Sequence, residues 1–398
     1  MKLHSITPTT RPPVVDYLRF MLPRASDPLA DHTEIYERLR RRVAAEMQGG
    51  SCANSHAKRD RYRYVFSIPL PGGSRATVRL GALDPVRQKG GISISLNPAK
   101  FQRGDAAYFH EVMERIVGRS YKSLLGRSLV NRIDFAVDIV HADLNRMLVS
   151  YSGAQQFTVF GKTVNSKGKV ETYNFGSITS DYMTAVYSKD IERRHRAIKA
   201  IAKSGLRSEP LKANFIKQLE RLHGAPPVVR VEVRGKKLNG MAPHELHKLE
   251  NRFARFAFAD LNAAGASLPK ELQDVFISLC RDRGVKAALA HFKGTSDIRK
   301  VNAFWKTHQA DWWRPEPMWK DACNALRRTG VFPASAFVAG RVDEQQQEGQ
   351  SSGPSRGKTF RKPHETNAPV VFKRVGPGRQ SARQVAAVRA QKTVNRLI

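Results

Sequence analysis

The sequence predicts an α+β fold: a mainly antiparallel central sheet with flanking helices, followed by a helical C-terminal region and a disordered basic tail. Three observations predict it. Short runs of alternating polar and apolar residues recur up to about residue 235, several joined by tight turns, and each shows one polar face, as antiparallel strands do. From His244 onward the apolar residues recur at helical spacing. Beyond Arg341 the composition shifts to Gln, Gly, Ser, Pro, Lys and Arg.

The elements follow in order. Val14 to Pro23 reads as an opening strand, stopped by Pro23, which cannot donate to a ladder. Glu34 to Met47 reads as a basic helix. Arg61–Ser67 and Ser74–Gly81 are strands flanking the hairpin turn Pro71-Gly72-Gly73. Ile92–Leu96 is another strand, and Ala107 to Ile116 begins a helix. Asn131 to Val140 alternates most regularly, so Ile133, Phe135, Val137 and Ile139 fill a core while Arg132, Asp134 and Asp138 emerge on the other face. Asp143 to Ser150 is expected as a short helix capped by Asp143. Strands are then expected at Thr158–Phe160, Glu171–Phe175 and Tyr182–Tyr187, and a largely helical stretch from Asp190 to Leu222, rich in Arg193, Arg194, Arg196, Lys199 and Lys203. Pro226-Pro227 delivers the chain into a strand at Val228–Arg234. His244 to Phe332 reads as helical throughout, with Leu246, Leu249, Phe253, Phe256 and Leu261 in one apolar stripe. Gln345–Arg356 reads as a linker and Lys358–Ile398 as a disordered basic tail.

Charge restricts the partners. The 398 residues carry 68 Lys and Arg against 35 Asp and Glu, a net +33. A field of that strength calls for a polyanion, nucleic acid first, through counterion release; a basic surface for solubility or membrane association is the alternative. Hydrophobic residues at 41% suffice for a core. Three scattered cysteines, Cys52, Cys280 and Cys323, fit reduced thiols and no zinc ribbon. No apolar run reaches the length of a membrane span, and the N-terminus lacks a signal-peptide core, so a cytoplasmic location is expected.

Candidate chemistry lies on three strands. Asp134, Asp138 and Glu232 are oxygen donors of the kind that select magnesium or manganese; alternatively they pair with Arg132, Arg230 and Arg234 at the sheet surface. Tyr187 and Lys189, two apart on a strand, would aim a phenol and an ammonium at one phosphate. A phenol titrating near 10 needs a cationic neighbour or metal to become a nucleophile; a strand tyrosine also serves in packing. His244-Glu245-Leu246-His247 has the wrong spacing for a metalloprotease helix. His110 and His195 belong to no His-x-His pair. The tryptophans Trp305, Trp312, Trp313 and Trp319 read as core rather than as base-stacking platforms. No phosphate-binding Gly-x-x-x-x-Gly-Lys-Ser/Thr loop is present, so no nucleotide cofactor is expected.

The order of Ser95-Leu96-Asn97-Pro98-Ala99-Lys100, Asn131-Arg132-Ile133-Asp134, Val186-Tyr187-Ser188-Lys189 and Val229-Arg230-Val231-Glu232-Val233-Arg234 resembles the filamentous-phage gene II replication initiation proteins, the II/X family. The segment Tyr173–Ser177 with Ser180-Asp181 is also similar to plasmid rolling-circle replication initiation factors. The resemblance covers roughly residues 14 to 250. It implies a site-specific nicking-closing enzyme that cuts one strand of a double-stranded origin through a covalent 5′-phosphotyrosine and leaves a 3′-hydroxyl primer. It maps the nucleophile onto Tyr187 with Lys189, and the Arg-x-Asp and Arg-x-Glu strands onto Arg132, Asp134, Arg230 and Glu232. A magnesium or manganese ion is expected on Asp134 and Glu232, with Asp138 beside them, and DNA contacts at Arg132, Arg230, Arg234, Arg193 and Arg194. Double-stranded origin DNA, single-stranded DNA and a host helicase and polymerase are the expected partners, in a bacterial cytoplasm. The expected organisation is a nicking domain over 1–240, a helical domain over 241–340, and a linker and tail over 341–398. Two rivals stay open: a metal-dependent nuclease without a covalent step, and a non-catalytic DNA-binding protein.

Overall fold

The computed structural model describes residues 7–338, apart from 25–31, 89–90, 154–156, 163–168, 178, 205–212, 215, 218–219, 222–224 and 264. The chain divides into two compact units, Met1–Arg341 and Val342–Ile398; the described residues all belong to the first. The expected linker and tail lie outside them.

Mixed helix and sheet with a large antiparallel sheet is what forms. In chain order the strands are β1 (Thr9–Thr10), β2 (Val14–Leu22), β3 (Ala53–Asn54), β4 (Tyr62–Pro69), β5 (Arg75–Ala82), β6 (Ile92–Leu96), β7 (Leu129–Val140), β8 (Met147–Tyr151), β9 (Phe157–Lys162), β10 (Lys169–Phe175), β11 (Tyr182–Ser188), β12 (Val228–Gly235) and β13 (Phe256–Asp260). The helices are α1 (His32–Gln48), α2 (Asp105–Val117), α3 (Tyr121–Gly126), α4 (Lys189–Ser204), α5 (Lys270–Arg283), α6 (Val285–His291), α7 (Ile298–Thr307) and α8 (Pro315–Arg328).

The main sheet runs β3-β4-β5-β6-β2-β7-β12-β11-β10-β9, with β1 also paired to β7, and β8 pairs β13 in a small second sheet. All pairs are antiparallel. The order has a quasi-twofold logic. β2 and β7 lie side by side at the centre, and on each flank the following strands walk back from the outer edge until the last, β6 or β12, pairs with the central one. The chemistry-bearing strands β7 and β12 therefore sit in the middle of the sheet.

Two-residue periodicity divides the faces. On β7, Ile133, Phe135, Val137 and Ile139 are buried with Val229, Val231 and Val233 of β12 in the main core. Helix α8 and the segment after it cover this apolar face: Trp319 of the helix meets Phe135 at 5.5 Å between centroids, and Phe332 beyond it meets Phe20 edge to face at 4.8 Å. A second core gathers Leu148 and Ala259 with Phe276, Cys280, Phe304 and Trp305 of the helical region. Trp305 and Trp313 are buried and Trp312 and Trp319 half-buried against the main core, so the tryptophans pack rather than line an open surface.

Two expected helices are replaced. Asp143 accepts from the Asn145 backbone N–H at 3.0 Å and caps one 3-10 turn, Leu144–Arg146, after which the chain is strand β8. Between His244 and Phe332 the helical reading breaks at β13, whose Phe-Ala-Phe-Ala-Asp alternation satisfies period two as well as a helical stripe. Pairing with β8 decides the matter, because Phe256 opposite Tyr151 and Phe258 opposite Val149 bury both phenyl rings. Only 3-10 turns occur at Pro243–Lys248 and Arg252–Arg255.

Candidate nucleic-acid nicking site

Register brings the candidate residues onto one face. Arg230 lies opposite Asp138 and Arg234 opposite Asp134 across β12–β7, while Tyr187 lies opposite Arg230 across β11–β12. All are on the face turned away from the main core, where alternate positions are polar. The sequence placed Tyr187 and Lys189 on one strand face. In the structure β11 ends at Ser188 and Lys189 opens α4, with the Ser188 hydroxyl donating to Asp190 at 2.8 Å. Lys189 nonetheless reaches the phenol side: its Nζ stands 5.4 Å from the Tyr187 ring centroid and 3.0 Å from Glu192.

Each carboxylate is held by a guanidinium. Arg132 donates to Asp134 at 2.9 and 2.5 Å, Arg234 to Glu232 at 2.8 and 3.0 Å, and Arg230 to Asp138 at 2.6 and 2.9 Å. Such bidentate pairs are the strong form of ion pair, and buried ones fix geometry. Asp134 and Glu232 have both oxygens committed in this way, as Asp138 does. Among the described residues no group of three His, Cys, Asp or Glu side chains converges closely enough to hold a metal ion.

Residues that the sequence reading passed over complete the site. Asp16 of β2 accepts from Arg230 at 3.1 Å and from Asn97 at 3.4 Å, and Tyr17 stacks under Arg132, 4.5 Å from ring centroid to guanidinium carbon. The available signal was a charged residue inside an apolar opening strand; the irregular β2–β7 pairing between Val15 and Tyr17 turns Asp16 toward Arg230.

Burial sets the titration of the site. It pushes the Tyr187 phenol above its ordinary range, and the charge of Glu232 adds to this while Arg230 opposes it. Asp134 is raised to about 6 because burial outweighs the hydrogen bond and charge of Arg132. Burial also works against the charge on Arg230, but Asp138 and Asp16 outweigh it and hold the group above its ordinary value. Tyr187 is thus a protonated phenol at neutral pH beside fixed cations.

Beside Tyr187 lies a cavity of about 560 Å³ between β10, β11 and α4, lined by Thr172, Tyr187, Ser188, Glu192, His195, Arg196 and Lys199. The expected DNA contacts Arg193 and Arg194 are on the same helix but do not line this cavity; Arg194 is paired to Asp190 at 3.0 Å. His110 bonds Tyr121 and the Gly330 carbonyl, both at 2.7 Å, a structural role. His247 bonds the His244 carbonyl within its own turn.

No family model matches this chain, and no curated protein does. Among solved structures it is similar to a rolling circle replication initiator protein from Geobacillus stearothermophilus, at 12% identity and a TM-score of 0.31, covering 78% of this chain and 96% of that one. A likeness of that size assigns neither family nor activity.

Proposed function

We propose that this protein is a rolling-circle replication initiator, a DNA nicking-closing enzyme that works through a phosphotyrosine at Tyr187. The observation that carries the reading is Tyr187 itself. A strand phenol stands on the polar sheet face opposite Arg230, with Lys189 over its ring, at the rim of a cavity where Arg196 and Lys199 stand beside Glu171 and Glu192, in a chain of net charge +33. The resemblance of four ordered segments to gene II and plasmid initiators supports the same assignment.

In the proposed reaction Tyr187 Oη attacks a backbone phosphorus as the bond to the 3′-oxygen breaks. The phenol proton passes to water in the adjoining cavity, and the departing 3′-oxygen takes one up. Arg230 and Lys189 offset charge on the pentavalent phosphate. Asp134 and Glu232 hold the Arg132 and Arg234 guanidiniums in bidentate pairs on the same sheet face, where they would meet the neighbouring backbone phosphates. Reversal at the phosphotyrosine by a later 3′-hydroxyl closes the circle.

A magnesium or manganese ion on Asp134 and Glu232 requires these acids to exchange Arg132 and Arg234 for the metal. Titrating the nicking rate with EDTA and then magnesium reads whether they do. The assignment itself is tested with supercoiled origin-bearing DNA. Wild type should yield a nicked circle and a denaturation-resistant protein–DNA adduct, and Tyr187→Phe neither. An adduct undiminished in the Phe variant overturns the assignment. Binding without cleavage in wild type favours a DNA-binding protein, and cleavage without adduct a hydrolytic nuclease.

A further inference from the structure

At the far flank of the same sheet, two connections take no part in the site around Tyr187. The first, Ser55 to Arg61, joins β3 to β4. Its Asp60 pairs with Arg19 at 3.2 Å and with Arg79 at 3.6 Å. Arg79 is only 6% exposed, and it donates to the Lys58 carbonyl and to the Ser95 hydroxyl, each at 2.9 Å. Asp60 and Arg61 are both left-handed, with φ of 50° and 70°. That conformation costs a residue with a Cβ roughly 1–2 kcal/mol and persists where surrounding contacts over-determine it. Here the buried Arg79 and the Asp60 latch do so. The outcome is that Lys58, Arg59 and Arg61 are turned outward and exposed, without an ion-pair partner among the described residues.

The second connection is the turn from Leu83 to Gln88. It is tied to the first by the Leu83 N–H on the Arg61 carbonyl at 2.9 Å, and closed by Gln88 N–H on the Asp84 carbonyl at 2.9 Å and Arg87 N–H on the Asp84 carboxylate at 3.0 Å. It exposes Leu83 by 60% and Val86 by 70%. Exposed apolar side chains on a hydrogen-bonded turn, with the exposed cations Lys58, Arg59, Arg61 and Arg87 on the same pair of loops, match a surface that is anionic outside and apolar within. Duplex DNA is such a surface: proteins that open the minor groove insert apolar wedges between base steps and hold the flanking phosphates with arginine.

We propose that this double loop is a strand-opening wedge, with Leu83 and Val86 entering between base pairs and Arg59, Arg61 and Arg87 on the phosphates alongside. The inference rests on the reading of the chain as a DNA nicking enzyme. Five strand spacings separate β5 from β11, about 24 Å across the sheet. Along the strands Arg79 of β5 is level with Leu129 of β7 and Tyr187 with Asp138, about 30 Å further on, so the wedge and the nucleophile lie at opposite ends of the strands, roughly 40 Å apart. At about 3.4 Å per step that is roughly twelve base pairs, the length of duplex that must be opened or bent between the two.

The test uses the full chain carrying Tyr187→Phe, which binds without cutting, and a duplex origin with 2-aminopurine across the site. Binding should raise the fluorescence of the unstacked base, and adding Leu83→Ser with Val86→Ser should cut that rise at least fivefold at saturating protein. In the Tyr187 background the same pair should lower nicking of linear duplex at least tenfold and leave cleavage of a single-stranded oligonucleotide unchanged. An undiminished fluorescence rise overturns the wedge. So does loss of binding to phosphatidylserine vesicles with unchanged duplex opening, which assigns the tip to a membrane. Failure of the parent reading shows separately: wild type then forms no adduct on the single-stranded oligonucleotide, whatever the fluorescence reports.

Discussion

Asp134 shows how one side chain joins stability to the site. It is buried on the central strand, and its carboxyl titrates at about 6 despite a bidentate arginine. A carboxyl raised above its unfolded value of about 3.9 binds its proton more tightly in the native state, so its contribution to stability is full below pH 4 and is lost as pH rises through 6. A shift of that size corresponds to on the order of 2–3 kcal/mol. Urea unfolding of wild type should therefore show stability falling between pH 4 and 7 relative to Asp134→Asn; parallel pH profiles would refute the burial account. Arg230 behaves in the opposite sense, since Asp138 and Asp16 depend on it. Arg230→Ala leaves two partly buried acids unpaired and should cost about 3–5 kcal/mol, with nicking lost even in the folded fraction.

Among the elements, those specified by period-two alternation were legible in sequence. Asn131–Val140 and Val228–Arg234 are strands within a residue or two of the expected bounds, and the faces on which Arg132, Asp134, Asp138, Arg230 and Glu232 fall follow from alternation alone. What alternation does not carry is pairing. Arg132–Asp134 and Arg234–Glu232 pair two residues apart on one strand, but the meeting of Arg230 with Asp138 depends on the β7–β12 register, and Asp16 joins through an irregularity in the β2 ladder that no local pattern marks. Alternation puts Lys189 on the tyrosine's strand face, whereas in the structure it stands over the Tyr187 ring from the first turn of a helix. Phe256 and Phe258 fit both a helical stripe and a strand, and only the partner strand β8 chooses between them. The tryptophans test the packing reading. Trp313 donates its indole N–H to the Phe253 carbonyl at 3.2 Å and meets Phe258 at 4.8 Å. Trp313→Ala should thus destabilise the fold by about 3–5 kcal/mol in urea and leave the DNA affinity of the folded protein unchanged; a base-stacking role would reverse that pattern.

Over the whole molecule, the excess of 33 positive charges is not explained by the site, where arginines and acids nearly cancel. The uncancelled charge lies elsewhere, including the tip at Lys58, Arg59 and Arg61, and it sets affinity rather than chemistry. If six or more phosphates are neutralised, log affinity should fall with log salt at a slope of about −5 or steeper. The Arg59→Ala, Arg61→Ala pair should flatten that slope by about two. A slope near zero in wild type would remove nucleic acid as the partner. Across the sheet, the central strands carry the paired acids and arginines, one flank bears the proposed nucleophile, and the opposite flank bears the proposed wedge.

The central claim is that one phenol forms the covalent link to DNA. It is read most directly by trapping the adduct on a nuclease-trimmed origin oligonucleotide, digesting with trypsin and sequencing the modified peptide by mass spectrometry. A 5′-phosphonucleotide on Tyr187 is the predicted result. The same mass on any other residue, or a cleaved origin with no modified peptide, contradicts it.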